Sequence, residues 1–212
     1  MGKKLIISFL LMLSLGFAFA QGRYAARIGI NFSNLSGDVK FDDKFGFHAG
    51  MMSEYKISPI FMVQPELLYT QRGARGLLII YDDDYDDYYD DDYYYDDTAK
   101  YSTLLQYVEL PIFLKAVAEF PKTDYKIEPY IGPELRYFIY GSETIKSGSD
   151  KVKKKIDRDA INAFDYGLGF GLDFRYNKDS TIGVRYSKGL AKPFKKVKLK
   201  NNAVMVYISQ VY

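Results

Sequence analysis

The chain has 212 residues, with 29 Lys and Arg against 27 Asp and Glu, one His, 21 Tyr, 15 Phe, and neither Cys nor Trp. The lack of Cys excludes disulfides, thiolate metal sites, cysteine nucleophiles and a lipidated cysteine. The length fits one large all-β unit or two modest domains, so internal pattern has to decide between them.

At the start of the chain, Lys3 and Lys4 precede an apolar run from Leu5 that closes on Ala18-Phe19-Ala20. This is the pattern of a secretory signal peptide over 1–20, cleaved before Gln21; the apolar run is short for an anchor helix and no stop-transfer flank follows. The mature chain, 21–212, then carries 27 bases and 27 acids once Lys3 and Lys4 are removed.

Segments with a period of two follow at 24–33, 45–57, 61–72, 101–118, 125–140, 162–176, 180–188 and 203–212. The clearest is FDYGLGFGLDFRY: Phe164, Tyr166, Leu168, Phe170, Leu172, Phe174 and Tyr176 share one face, and Asp165, Gly167, Gly169, Gly171, Asp173 and Arg175 the other. That alternation predicts a strand. Most of the segments reach the ~9–11 residues a tilted strand needs to cross a bilayer. Short connections at 58–59, 119–124 and 177–179 alternate with long ones at 34–44, 73–100, 141–161 and 189–202. Such alternation predicts an all-β, eight-stranded antiparallel up-and-down transmembrane β-barrel over 21–212, with short periplasmic turns and long extracellular loops.

A soluble lipocalin-like barrel would share the strand count, so the face opposite the apolar stripes discriminates. It carries Arg27, Lys56, Arg72, Lys115, Lys126, Arg136, Arg175 and Arg185 with Glu54, Glu66, Glu109, Glu128, Glu134, Asp165 and Asp173. So many ionisable groups cannot line a greasy calyx, but they can pair with one another inside a barrel whose apolar side chains face lipid. The expected lumen network comprises Arg27, Glu66, Glu109, Glu128, Glu134, Arg136, Asp173, Arg175 and Arg185. Glycines on this face make room for bulky inward side chains such as Tyr107 and Tyr130. The run Gly167, Gly169, Gly171 breaks the nucleotide-binding fingerprint at Leu172, and no helix follows.

The segments QPELLYTQRGA (64–74), LQYVELPIFLK (105–115) and YIGPELRYF (130–138), with ARIGINFSNLSGD, GFHAGMMSEYKI and DYGLGFGLDFRY, resemble the PorT-like, porin-family outer-membrane β-barrels of Bacteroidota, small barrels of OmpA-like build. The resemblance spans nearly all of the mature chain and implies insertion in the outer membrane by the general assembly machinery. It implies no defined activity; a few relatives serve protein secretion. Two features depart from the family pattern: the tract described next, and Gln210 where an apolar residue is usual.

Tyr81 to Asp97 reads YDDDYDDYYDDDYYYDD, ten Asp and seven Tyr. It falls in the second long loop, as solvated low-complexity filler, a recognition surface or a cation-binding segment. Asp82, Asp84 and Asp86 fit the start of an EF-hand, but Asp87 stands in place of its Gly and Tyr93 in place of its Glu. Any metal binding at Asp82, Asp84, Asp86, Asp90 and Asp92 is therefore expected to be weak and diffuse. Lys146, Lys151, Lys153, Lys154, Lys155 and Arg158 crowd the third long loop, and Lys188, Lys192, Lys195, Lys196, Lys198 and Lys200 the fourth. These cations suit the acidic tract or an anionic lipopolysaccharide surface; the adjacent Asp charge disfavours nucleic acid.

His48, on the polar face, has no nucleophile signature to serve and is expected to be a hydrogen-bonded lumen residue. The sequence thus predicts a barrel without enzymatic activity or cofactor, acting structurally or by surface recognition. Its expected partners are outer-membrane lipid and lipopolysaccharide, the assembly machinery, and an extracellular ligand or secretion components. A small-solute channel and an accessory barrel of a secretion system are the alternatives.

Overall fold

The structure, a computed structural model, describes residues 22–37, 41–80 and 97–212. The signal peptide expected at 1–20 and the Asp/Tyr tract up to residue 96, including the diffuse metal positions, lie outside the described residues. Ten strands follow in order: β1 (Arg23–Gly37), β2 (Asp42–Lys56), β3 (Phe61–Ile80), β4 (Asp97–Ala116), β5 (Ala118–Glu119), β6 (Lys126–Ser147), β7 (Asp150–Lys155), β8 (Phe164–Arg175), β9 (Ser180–Gly189) and β10 (Leu199–Val211). Every pairing is antiparallel, and β1, β2, β3, β4, β6, β8, β9 and β10 form a closed ring. The ring closes where the first strand meets the last, from Ala25 opposite Val211 to Gly37 opposite Leu199. Closure removes every unpaired edge within the ring, the condition for backbone to sit in lipid. No described helix is long and apolar enough to cross a membrane.

The outer wall is made of the apolar stripes. Phe164, Tyr166, Leu168, Phe170, Leu172 and Phe174 are all exposed, and Ile28 and Ile30 on β1, Ile182 and Val184 on β9, and Val204, Val206 and Ile208 on β10 continue the belt. Cross-strand aromatic pairs tie it together: Phe32 packs edge-on against its register partner Phe45, and Phe170 lies 5.3 Å from its partner Tyr186. Such pairs add up to about 1 kcal/mol each to the ladder.

The short-turn end is held by side chains that mimic backbone partners. Ser58 Oγ accepts from the Phe61 and Ile60 amides, and Asn177 Oδ1 accepts from the amides of Asp179 and Ser180. Asn and Ser favour turns through these local bonds.

At the opposite end the strands run further than the sequence suggests. β3, β4 and β6 have 20, 20 and 22 residues. The segments 73–80 and 97–100, expected as loop, are paired strand from Gly73 opposite Leu104 to Ile80 opposite Asp97. Residues 141–147 and 150–155, also expected as loop, form a hairpin in which β7 pairs with the end of β6. Beyond the bilayer a strand needs no apolar face, only a partner, and charged or glycine residues such as Arg75, Gly76, Lys100 and Lys146 interrupt the alternation that a periodicity search follows. β10 likewise starts at Leu199 rather than 203 because it pairs with β1 as far as Gly37.

Candidate functional site: a charge-paired lumen

Inward-facing positions alternate with the outer belt, so the period that exposes Phe170 and Leu172 turns Asp173 and Arg175 into the ring. At the short-turn end, Lys115 Nζ lies 2.7 Å from both Glu128 and Asp173 and 3.7 Å from Glu54. The Arg175 guanidinium grips Glu128 through two bonds, at 2.8 and 3.2 Å, and reaches Glu54 at 2.5 Å.

In the middle, Glu66 accepts from Arg27 at 2.6 Å, from Arg185 at 2.7 and 2.9 Å, and from Gln64 at 2.5 Å. The Tyr207 hydroxyl donates to Asp173 at 2.5 Å and meets the Tyr130 hydroxyl. The Arg27 guanidinium lies 3.8 Å from the centre of the Tyr207 ring, and that of Arg185 lies 4.2 Å from the centre of the Phe113 ring. Arginine's weakly hydrated planar head suits both the bidentate grip and the stacking.

Toward the long-loop end, Arg72 holds Glu109 in a bidentate pair at 2.7 and 3.1 Å. Arg136 reaches Glu134 at 2.6 Å, Asp165 at 3.2 Å and Glu109 at 3.7 Å. Ser187 Oγ accepts from Arg72 and Arg136 and donates to Glu134.

All nine residues expected in the network, Arg27, Glu66, Glu109, Glu128, Glu134, Arg136, Asp173, Arg175 and Arg185, are buried and meet one another here. Four more from the same polar face, Glu54, Arg72, Lys115 and Asp165, complete it. The sum is six cations against seven carboxylates, the near-balance that buried charge requires. Lys56 and Lys126 do not reach the interior: Lys56 is exposed at the short-turn mouth, and Lys126 pairs there with Glu119 at 2.6 Å. Sequence reasoning missed Gln64, Ser187 and Tyr207: Gln64 and Ser187 share phase with a charge two positions away, Glu66 and Arg185, while Tyr207 has no such neighbour in the sequence.

Glycines on this face supply the space. A Cβ on Gly183 would come within 2.1 Å of Asp173 Oδ1 and 2.4 Å of the Tyr207 ring, and one on Gly169 within 2.5 Å of Glu134 Oε1.

Above the charges lies an apolar cluster of Leu35, Ala74, Leu105, Tyr107, Phe138, Ile156, Ile161 and Leu199, joined by Phe41 and Phe194. Ile156, Ile161 and Phe194 come from the connections after β7 and β9, which fold over the end of the ring. The lumen is thus filled by ion pairs and covered at its long-loop end. The short-turn end opens into a cavity of about 610 Å³ lined by Glu54, Lys56, Lys126, Arg175 and neighbours.

His48 departs from expectation. It is fully buried and stands edge-on to the Tyr207 ring, but neither of its ring nitrogens has a hydrogen-bond partner among the described residues. The cations Arg27, Arg72 and Arg185 around it can offer only donors, and neutral imidazole can accept at one nitrogen alone. Among the described residues no group of three or more His, Cys, Asp or Glu is arranged to hold a metal.

A closed antiparallel ring with an apolar exterior and a charge-paired interior defines a transmembrane β-barrel. The sequence matches the family described as outer membrane protein beta-barrel domain over residues 19–195, and the chain belongs to that family. Comparison with curated proteins gives no match. Among solved structures, the chain is similar to the attachment invasion locus protein Ail of Yersinia pestis, with 13% identity, 90% of this chain and 99% of that one covered, and a TM-score of 0.47. It is also similar to Neisserial surface protein A, with 9% identity, 89% and 97% covered and a TM-score of 0.46. A third is the N-terminal β-barrel domain of Pseudomonas aeruginosa OprF, with 9% identity, 91% and 100% covered and a TM-score of 0.38.

Proposed function

We propose that this outer-membrane barrel is a plugged scaffold that presents its long-loop end for surface recognition, and that it neither conducts solutes nor catalyses a reaction. The observation that carries the reading is the filled lumen: six cations and seven carboxylates locked in mutual pairs beneath an apolar cover. An eight-stranded ring is only wide enough for its side chains to fill. Opening a path through this one would require separating buried pairs, at roughly 3–5 kcal/mol for each charge stranded. The one histidine lies in that interior without a nucleophile bonded to it, which supports the non-enzymatic reading.

The recognition end is built for anionic surfaces. β7 reads DKVKKK and all six of its residues are exposed, raising Lys151, Lys153, Lys154 and Lys155 on a hairpin above the ring. Lipopolysaccharide phosphates are the partner this charge fits, and the assembly machinery is the partner during insertion. The particular kinship to PorT-like barrels, and with it a secretion role, rests on the sequence resemblance.

Reconstitution in planar bilayers tests the reading. The expected outcome is no reproducible unitary conductance; stable open-channel steps would overturn the plugged lumen and favour the small-solute channel. Cross-linking in cells followed by capture addresses the secretion alternative, which recovery of secretion components would favour.

A further inference from the structure

Above the lipid-facing belt the outside of the ring carries a second pattern. In β4 the buried Ala99, Thr103, Leu105 and Tyr107 face inward, so Lys100 and Ser102 face outward, in phase with the exposed Ile112 and Leu114 below them. Directly opposite residues of paired strands share a face, which carries this phase to the neighbouring strands. Lys100 stands opposite Lys146, and Lys146 opposite Lys151, so three lysines lie side by side across β4, β6 and β7. One step nearer the belt, Arg75, Ser102, Thr144 and Lys153 form a second row across β3, β4, β6 and β7. Lys44 joins that row by crossing Gly73, where a Cβ would come within 2.9 Å of its Cδ, to donate to Ser102 Oγ at 2.5 Å. Lowest, Lys155 Nζ lies 5.9 Å from the centre of the Tyr140 ring. Seven cations thus share this wall, and Asp42, opposite Arg75, is its one carboxylate among the described residues. Like charges placed directly opposite destabilise a sheet. The lumen answers its cations with carboxylates; this wall does not, so it is built to meet an anion.

We propose that this wall clasps one lipopolysaccharide molecule of the surrounding leaflet by its phosphates, with the lysines standing in for the divalent cations that otherwise bridge neighbouring phosphates. The inference rests on the reading of the long-loop end as a lipopolysaccharide surface, and adds where and how the ligand is held. Side chains that point sideways over the leaflet meet a lipid headgroup before they meet a solute from the medium. Alternate residues on one strand face are about 7 Å apart, so a headgroup with phosphates at more than one level engages two rows at once. The Ser102 and Thr144 hydroxyls lie in the second row between its cations. Direct ammonium–phosphate bonds need no metal and survive chelation, whereas adsorption through carboxylates needs a bridging cation.

The test uses the full-length mature barrel in detergent micelles with lipopolysaccharide stripped of metal by EDTA, and counts bound lipid by native mass spectrometry. The expected result is one lipopolysaccharide per barrel, retained in EDTA and absent when the lipid is dephosphorylated. The triple variant Lys100→Gln, Lys146→Gln, Lys151→Gln should weaken binding at least about tenfold, the loss of one charge-assisted bond. The control Lys195→Gln, Lys196→Gln, Lys198→Gln, with the same change of charge in the fourth long connection, should bind as the wild type does. Both should keep heat-modifiable migration on gels; if the first does not, Lys146→Gln alone replaces it with a loss in the same direction. Equal loss in the two triple variants, binding only when magnesium is restored, or tighter binding of soluble polyphosphate than of lipopolysaccharide overturns the wall and leaves the recognition reading standing. So does binding in EDTA that appears only after residues 81–96 are replaced by Asn-Gly, which assigns the wall to the chain's own acidic tract. No lipopolysaccharide binding with or without magnesium overturns both.

Discussion

Among the described residues, replacing Arg72 by Met leaves Glu109 with only Arg136, 3.7 Å away, as a compensating cation. A stranded buried carboxylate costs roughly 3–5 kcal/mol, so R72M should lower the urea midpoint of the refolded barrel by a corresponding amount, read by circular dichroism. The double variant Arg72→Met with Glu109→Leu removes both charges and should recover most of that loss, since an apolar pair of similar volume often does as well as an ion pair. Overpacking gives the opposite probe: Gly183→Ala forces a methyl against Asp173 and Tyr207 and should destabilise by about 1–3 kcal/mol. At the mouth, the hydrogen bond and charge of Lys126 hold the exposed Glu119 carboxyl below its ordinary value of 4.5. The pair therefore contributes fully above pH 4.5 and is lost as pH falls through the lower folded value. In Lys126→Gln, the Glu119 carboxyl resonance should titrate nearer 4.5.

β8 and β10 show how differently two strands of one ring announce themselves. In β8 every lipid-facing position is apolar and every inward one is charged or Gly, so phase, faces and the inward direction of Asp173 and Arg175 follow from the letters. β10 contains VMVYIS, apolar on both faces. Only its register with β1, which sets Ser209 opposite Arg27, turns Tyr207 inward to the charges. The ion-paired residues were legible because charge cannot face lipid; the neutral ones that complete their shells were not, because Gln, Ser and Tyr are tolerated on either side of a membrane interface. The apolar cover was hidden for another reason. Ile156, Ile161 and Phe194 sit among lysines with no period, and packing over the ring, not alternation, is what buries them or draws them inward. β7 was equally silent, since a wholly exposed strand held by backbone pairing leaves no hydrophobic pattern. Its lysines also blunt an open edge against further strand addition. Changing Lys151, Lys153, Lys154 and Lys155 together to Gln should leave assembly intact and reduce, in a salt-dependent way, the adsorption of the barrel to lipopolysaccharide-containing vesicles relative to neutral ones.

For the molecule as a whole, the described strand pairs close the ring without residues 81–96. β3 and β4 remain in register up to Ile80 opposite Asp97, so residues 81–96 can be replaced by Asn-Gly, the two-residue connection such a hairpin prefers. Loop length changes closure entropy by only ~0.6 kcal/mol per doubling, so the shortened chain should still insert and show heat-modifiable migration. Loss of insertion would make the Asp/Tyr tract a structural element. The same replacement removes nine of the tract's ten Asp and should raise affinity for acidic probes at low salt.

The seam between β1 and β10 gives this architecture one more property. Tyr212 donates its amide to the Tyr24 carbonyl at 3.1 Å, so the two ends of the ring lie side by side. The order in which the eight walls are read from the gene is then a convention of the chain and not of the shape. A circularly permuted barrel, joined across the seam by a short glycine linker and opened at Gly148 in the tip of the β6–β7 hairpin, should reach the same closed state, because it exchanges one covalent connection for another and breaks no pair.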